Sequence, residues 1–131
     1  MIEWSSLPLR IALGFIFMAH GLQKGFGAFG GPGIKGFSGM LSGLGFSPVL
    51  FWTYVVILTE LFGGLFLILG LFTRISAVFI FILIVVATIK VHLTKGFFVS
   101  RGGFEYNLLI LCACIALMIL GGGKGRMTNN F

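Results

Sequence analysis

The stretch Tyr54 to Phe72, YVVILTELFGGLFLILGLF, constrains this chain more than any other. It is about 19 residues of nearly unbroken apolar sequence, long enough to cross the ~30 Å hydrocarbon core of a bilayer as a helix. One ionisable residue, Glu60, interrupts it, followed by the pair Gly63 and Gly64. A carboxylate at that depth is costly unless it is paired, protonated or hydrated. What sits beside Glu60 is therefore the first question the remaining sequence has to answer.

The surroundings point to lipid. Of 131 residues, 58% are hydrophobic and 9% are charged, against about 25% charged in an average soluble domain. Too few polar side chains exist to cover a soluble surface. The expectation is an all-α membrane protein, one membrane domain over residues 1–131, with room for about four spans. The net charge of +6 comes from basic residues at span ends. No basic stripe with interleaved aromatics is present, which excludes nucleic acid as a partner. The cations read instead as lipid anchors and topology determinants. Arg10 interrupts the first apolar run and no small-residue cleavage site follows, so that run is expected to be retained. Cys112 and Cys114 fall on different faces of a helical run. They are neither a redox CxxC nor a zinc half-site, and read as packing residues.

Four antiparallel spans are expected, at about 6–26, 49–72, 74–93 and 104–121. In span one, Trp4 sits at the interfacial level and Pro8 in the first turn, where a missing N–H is tolerated. Arg10, Gly14, Phe17, Gly21 and Lys24 share one stripe, with His20 on its flank. The two cations are about 21 Å apart along the axis, and the glycines between them admit a close neighbouring helix. The connection from Gly25 to Pro48 is too glycine-rich for a span. Ile34, Phe37, Leu41 and Leu44 recur there at helical spacing, giving a short amphipathic interfacial helix or a re-entrant loop.

In span two, Thr53, Glu60 and Gly64 lie near one face. A tight hairpin leads to span three, where Arg74 and His92 share a face at opposite membrane levels and Lys90 points the other way as a snorkelling anchor. The connection TKGFFVSRGG is basic with an aromatic pair. Glu105 and Asn107 fall in the first turn of span four, where the helix dipole favours a carboxylate. The tail, GGGKGRMTNNF, is expected to be mobile. No span repeats another, so an inverted-repeat transporter has no support.

Depth within each span places His20, Lys24, His92, Glu105 and Asn107 at one membrane level and Arg10 and Arg74 at the other, with Glu60 about midway. Inward ionisable residues in a membrane are functional candidates. The ligand-binding or proton-relay candidates are thus Glu60, His20, His92, Glu105, Arg10, Lys24 and Asn107. Structural roles compete for each. Glu105 could serve its helix dipole, the histidines could be interfacial tips, and Glu60 could lock the bundle through a partner such as Arg10. No short ligand spacing such as HxxxH exists, so no metal is expected, and no nucleotide motif is present.

The Arg in span one, HGLQK at its end, ELFGG in span two, GLFTR at the hairpin, HLTKGFF after span three and GGFEYNLLIL opening span four occur in one order. In that order and spacing the chain resembles the DoxX-like family of small four-helix membrane proteins, from about Arg10 to the tail. The tail departs from the family pattern, in which many relatives continue into a Ser-Leu-Asp-like segment. The resemblance implies a four-helix bundle and an association with redox work. Some relatives are named as a membrane subunit of a thiosulfate:quinone oxidoreductase. Others are linked to complexes with sulfurtransferase-like and oxidative-defence proteins, and distant ones act in protein transport or receptor assembly. Arg10, His20, Lys24, Glu60, His92 and Glu105 are the polar positions that match.

Three functions compete on this reading. The first is a redox-associated membrane subunit holding a quinone or similar lipid-soluble molecule. There His20 or His92 would bond a carbonyl oxygen, and Glu60 or Glu105 would relay protons. With no cofactor motif and no redox cysteine pair, the chain would not be a complete enzyme alone. It would work with soluble or membrane redox partners or as a homo-oligomer. The second is a non-catalytic scaffold or assembly factor, and the third a transporter for an anion or metabolite. Cations are nearly balanced between the two ends, Lys24, Lys35, Lys90, Lys95 and Arg101 against Arg10, Arg74, Lys124 and Arg126. The dense charge of the hairpin and tail favours cytoplasmic termini in the cell (inner) membrane.

Overall fold

A computed structural model describes residues 4–123 and Arg126. Five helices carry the chain: α1 (Ser6–Phe26), α2 (Gly33–Gly43), α3 (Val49–Leu69), α4 (Thr73–Ala87) and α5 (Glu105–Leu120). No strand occurs among the described residues. α4 runs on through a π turn at Thr88–His92 and a 3-10 turn at Leu93–Lys95. Among the described residues, Val49–Leu69 and Thr73–Lys95 are the two helices both long and apolar enough to cross a membrane. Bulky apolar side chains point outward from α1, α3, α4 and α5 alike: Phe15, Phe62, Phe79, Leu109 and Ile119 are each at least half exposed. Monomeric soluble proteins rarely leave so much contiguous apolar surface uncovered. This is the exterior of a membrane protein, in contact with lipid.

The inward faces meet in one apolar cluster. Leu13 and Phe17 of α1, Leu67 of α3, Ala77 and Ile80 of α4, and Ile110, Cys114 and Leu117 of α5 close it. The two cysteines separate as their spacing requires, Cys114 buried and Cys112 exposed. A second cluster, Phe37 and Leu41 against Ile57, seats α2 on α3. Phe37 and Leu41 are among the residues whose spacing marks a helix in this connection, and that helix forms.

The element ends correct several expected boundaries. α3 stops at Leu69 rather than Phe72, because Gly70 turns left-handed at φ 73°. Gly70 N–H then reaches Leu67 O at 3.3 Å and Leu71 N–H reaches Phe66 O at 2.8 Å, a Schellman-type stop that glycine makes accessible. Leu71 and Phe72 are apolar turn residues, so hydropathy alone counts them into the helix. α4 accordingly starts at Thr73, its regular part ends at Ala87, and α5 occupies Glu105–Leu120. The opening of the tail is not loose. Gly122 O accepts hydrogen bonds from Ser6 Oγ at 2.8 Å and Arg10 Nη1 at 2.7 Å, so the first residues after α5 are tied to α1. Except for Arg126, the tail from Lys124 to Phe131 lies outside the described residues, as do Met1–Glu3 of the N-terminal tail.

Candidate functional site

The site grows from the seam between α1 and α3. Gly14 and Gly64 meet there with their backbones against each other. A Cβ on Gly14 would stand 2.6 Å from Gly64 O, and one on Gly64 would stand 2.7 Å from Gly14 O and 2.9 Å from Met18 N. Only glycine permits that approach. Gly21 lies against Leu61 a little further along, and Gly63 faces Ile80 of α4. The antiparallel crossing draws every polar residue of the α1 stripe onto α3.

At one end of the seam, Arg10 is fully buried. Its Nε donates to Leu67 O at 3.0 Å and its Nη2 to Ile68 O at 3.2 Å, while Nη1 takes Gly122 O. Leu67 and Ile68 belong to the last turn of α3, where carbonyls have no intrahelical partner and the dipole favours a cation. The guanidinium fork thus caps α3 and fastens the segment after α5 to both helices.

At the other end, Lys24 Nζ donates to Glu60 Oε1 in an ion pair. The Glu60 side chain is 2% exposed and that of Lys24 25%. The same ammonium lies 4.8 Å from the centroid of the Phe37 ring, an attractive cation–π placement that brings α2 over the pair. Among the described residues, the buried Glu60 Oε2 has no hydrogen-bond partner. Buried polar atoms almost always have one, so this oxygen sets the pair apart. The expectation of Arg10 as the partner of Glu60 fails. Arg10 sits about two helical turns further along α3, with the Gly14–Gly64 contact between.

The remaining candidates fall elsewhere. His20 is half-buried beside the Phe17 ring, centroids 6.4 Å apart. His92 Nδ1 donates to Gly102 O at 2.7 Å, which in the neutral ring leaves the Nε2 lone pair open. Glu105 Oε1 accepts from Val99 N–H at 2.8 Å. Asn107 Nδ2 donates to Thr88 Oγ1 at 2.9 Å, and Thr88 Oγ1 in turn to Ile84 O at 2.7 Å. The structure thus brings Lys24 and Glu60 together, and answers His92, Glu105 and Asn107 locally between α4 and α5. No group of three or more His, Cys, Asp or Glu able to hold a metal occurs among the described residues.

Sequence reasoning missed Gly122 as an acceptor, Thr88 as the partner of Asn107 and Phe37 as the ring under Lys24. The first two are contacts between elements distant in sequence and carry no local signal. Phe37 had one, its place on the apolar face of α2.

The DoxX family model matches residues 5–93, which span α1 to α4 and include Arg10, Lys24 and Glu60. A relative from Bacillus subtilis (strain 168), named "Putative oxidoreductase CatD", is 36% identical over 115 residues, covering 88% of this chain and 79% of the relative. No solved structure matches.

Proposed function

The chain belongs to the DoxX family, and on that premise we propose that it is a redox-associated membrane subunit. Its Lys24–Glu60 centre would receive a quinone-like or other small lipid-soluble ligand. α1, α3, α4 and α5 serve as four antiparallel spans in the cell (inner) membrane, with α2 at the interface. The observation that carries the reading is Glu60 Oε2, a buried acceptor to which nothing among the described residues donates. In the quinol form a ligand hydroxyl donates to that oxygen, and in the quinone form an N–H of Lys24 not used by Glu60 donates to the ligand's carbonyl oxygen. When a quinol is oxidised, Glu60 takes one of the two protons released and the other leaves to water, while the two electrons pass to a soluble or membrane redox partner. This chain supplies binding and the proton acceptor, and the partner completes the enzyme. A relative named as an oxidoreductase supports the redox setting.

The test is a titration of a quinone analogue into the protein in lipid nanodiscs. Saturable binding that is lost in Glu60→Leu and weakened in Lys24→Met supports the reading. If the wild-type chain shows no saturable binding, and membranes lacking it oxidise quinol as before, the reading is wrong. Both termini face the cytoplasm in this proposal, so a cysteine introduced as Lys35→Cys should react with an impermeant reagent added from outside.

A second reading, a scaffold for partner assembly, is favoured by Arg10, His92, Glu105 and Asn107, each of which holds a hydrogen bond between segments of the bundle. On that reading Glu60→Gln leaves partner recruitment intact.

A further inference from the structure

The connection between α4 and α5 is a built turn rather than slack chain. Phe104 N–H bonds Gly96 O at 3.0 Å, Glu105 N–H bonds Phe97 O at 2.7 Å, and Gly103 N–H bonds Phe98 O at 2.9 Å. Glu105 holds Val99 N–H from within, and His92 holds Gly102 O. The turn presents Phe97, Phe98 and Val99 outward, 43%, 61% and 54% exposed. Phe97 stands edge-on to both Phe98 and Phe104, at 5.2 and 5.4 Å between centroids, so the three rings form one cluster.

Two exposed cations flank that tip. Lys95 lays its side chain along Gly102, next to Arg101. The nearest carboxylate in sequence, Glu105, is engaged with Val99 N–H. Below the turn, Ile89 and Leu93 are 59% and 53% exposed and sit four residues apart on one helical face. An apolar stripe thus leads to an aromatic tip set between two cations. That order matches the acyl chain, the interface and the phosphate of a phospholipid.

We propose that Lys95, Arg101 and the Phe97–Val99 tip form a docking surface for an anionic phospholipid. The two cations hold the headgroup phosphate and Ile89 and Leu93 hold an acyl chain. The site is separate from the Lys24–Glu60 centre and does not rest on the function proposed there.

The test is native mass spectrometry of the full chain exposed to equal amounts of phosphatidylglycerol and phosphatidylcholine. The wild type should retain the anionic lipid in roughly thirtyfold preference, an electrostatic selection of the size two near-surface cations supply. Lys95→Gln combined with Arg101→Gln should bring the ratio near parity, each single change part of the way. Phe98→Ser with Val99→Ser should lower retention of both lipids. Lys35→Gln, an exposed cation on α2, should leave the ratio unchanged. A wild type without preference overturns the proposal, as does a loss with Lys35→Gln equal to that of the double variant. A change that releases an acidic soluble protein instead of lipid also overturns it.

Discussion

The two ends of the α1–α3 seam both bury charge, and they handle it differently. At the Arg10 end three nitrogens of one guanidinium meet three carbonyl oxygens. At the Lys24 end one carboxylate oxygen is paired and the other is left without a donor. A buried cation bonded through all three of its guanidinium nitrogens is part of the scaffold. An unanswered oxygen one helix crossing away is where a ligand or a proton can still be accommodated. Position in the seam does not distinguish these roles, since both cations lie on the same stripe of α1. The partner supply does: α3 ends at Leu69 and exposes its last carbonyls to the Arg10 donors, whereas Glu60 is an acceptor in mid-helix, where the backbone N–H groups are already engaged.

The comparison breaks first at Arg10. Arg10→Leu should remove the side-chain donor of Ile68 O and one of two donors each from Leu67 O, which keeps Gly70 N–H, and Gly122 O, which keeps Ser6 Oγ. Because hydrogen bonds to a charged group contribute roughly 1.5–3 kcal/mol each and are not additive, we expect about 3 kcal/mol or more of lost stability. Denaturation in mixed micelles measures it, and a loss under 1 kcal/mol would show that Arg10 does not fasten the fold.

Lys24→Met comes next. It strands a carboxylate that is nearly sealed, so a loss of about 2–3 kcal/mol is expected, discounted from a fully buried pair because Lys24 is a quarter exposed. Adding Glu60→Gln should restore most of it, while Glu60→Gln alone should lower stability little. A double-mutant cycle with no coupling would remove the ion pair from the account.

Gly64→Ala tests the crossing that separates the two ends. The new methyl would meet backbone on both sides of Gly14 and Met18, so the helices must part, at roughly 1–3 kcal/mol. Gly63→Ala meets only the Ile80 side chain, at 3.2 Å or more, and should be milder. Equal effects would mean that α1 and α3 do not touch at Gly64.

The smallest effect is expected between α4 and α5. Asn107→Leu removes one hydrogen bond to Thr88, and such bonds between membrane helices average about 0.6 kcal/mol. A loss above 2 kcal/mol would make the π turn at Thr88–His92 a stronger fastening than its one side-chain bond to α5 implies.

Much of this arrangement is legible in the residues alone. The stripe Arg10, Gly14, Phe17, Gly21 is the face of α1 that becomes buried, because side chains 100° apart in sequence keep that angle in the helix. Thr53, Glu60 and Gly64 are likewise buried together on α3. The spacing of Phe37 and Leu41 marks α2 as a helix before any contact is known. The cation that would reach Glu60 is not legible, because both ends of the stripe offer one. Neither is the end of α3, because Leu71 and Phe72 continue its hydropathy.

The apolar exterior, the helices and the faces they turn inward follow from the residues alone, since composition and period are local properties. Only the tertiary structure decided that Lys24 meets Glu60, that Arg10 caps α3 and holds Gly122, and that one oxygen of Glu60 is left over. Those outcomes depend on the register at which two antiparallel helices cross. The backbone contact of Gly14 with Gly64 sets that register, and no window along the chain contains both residues.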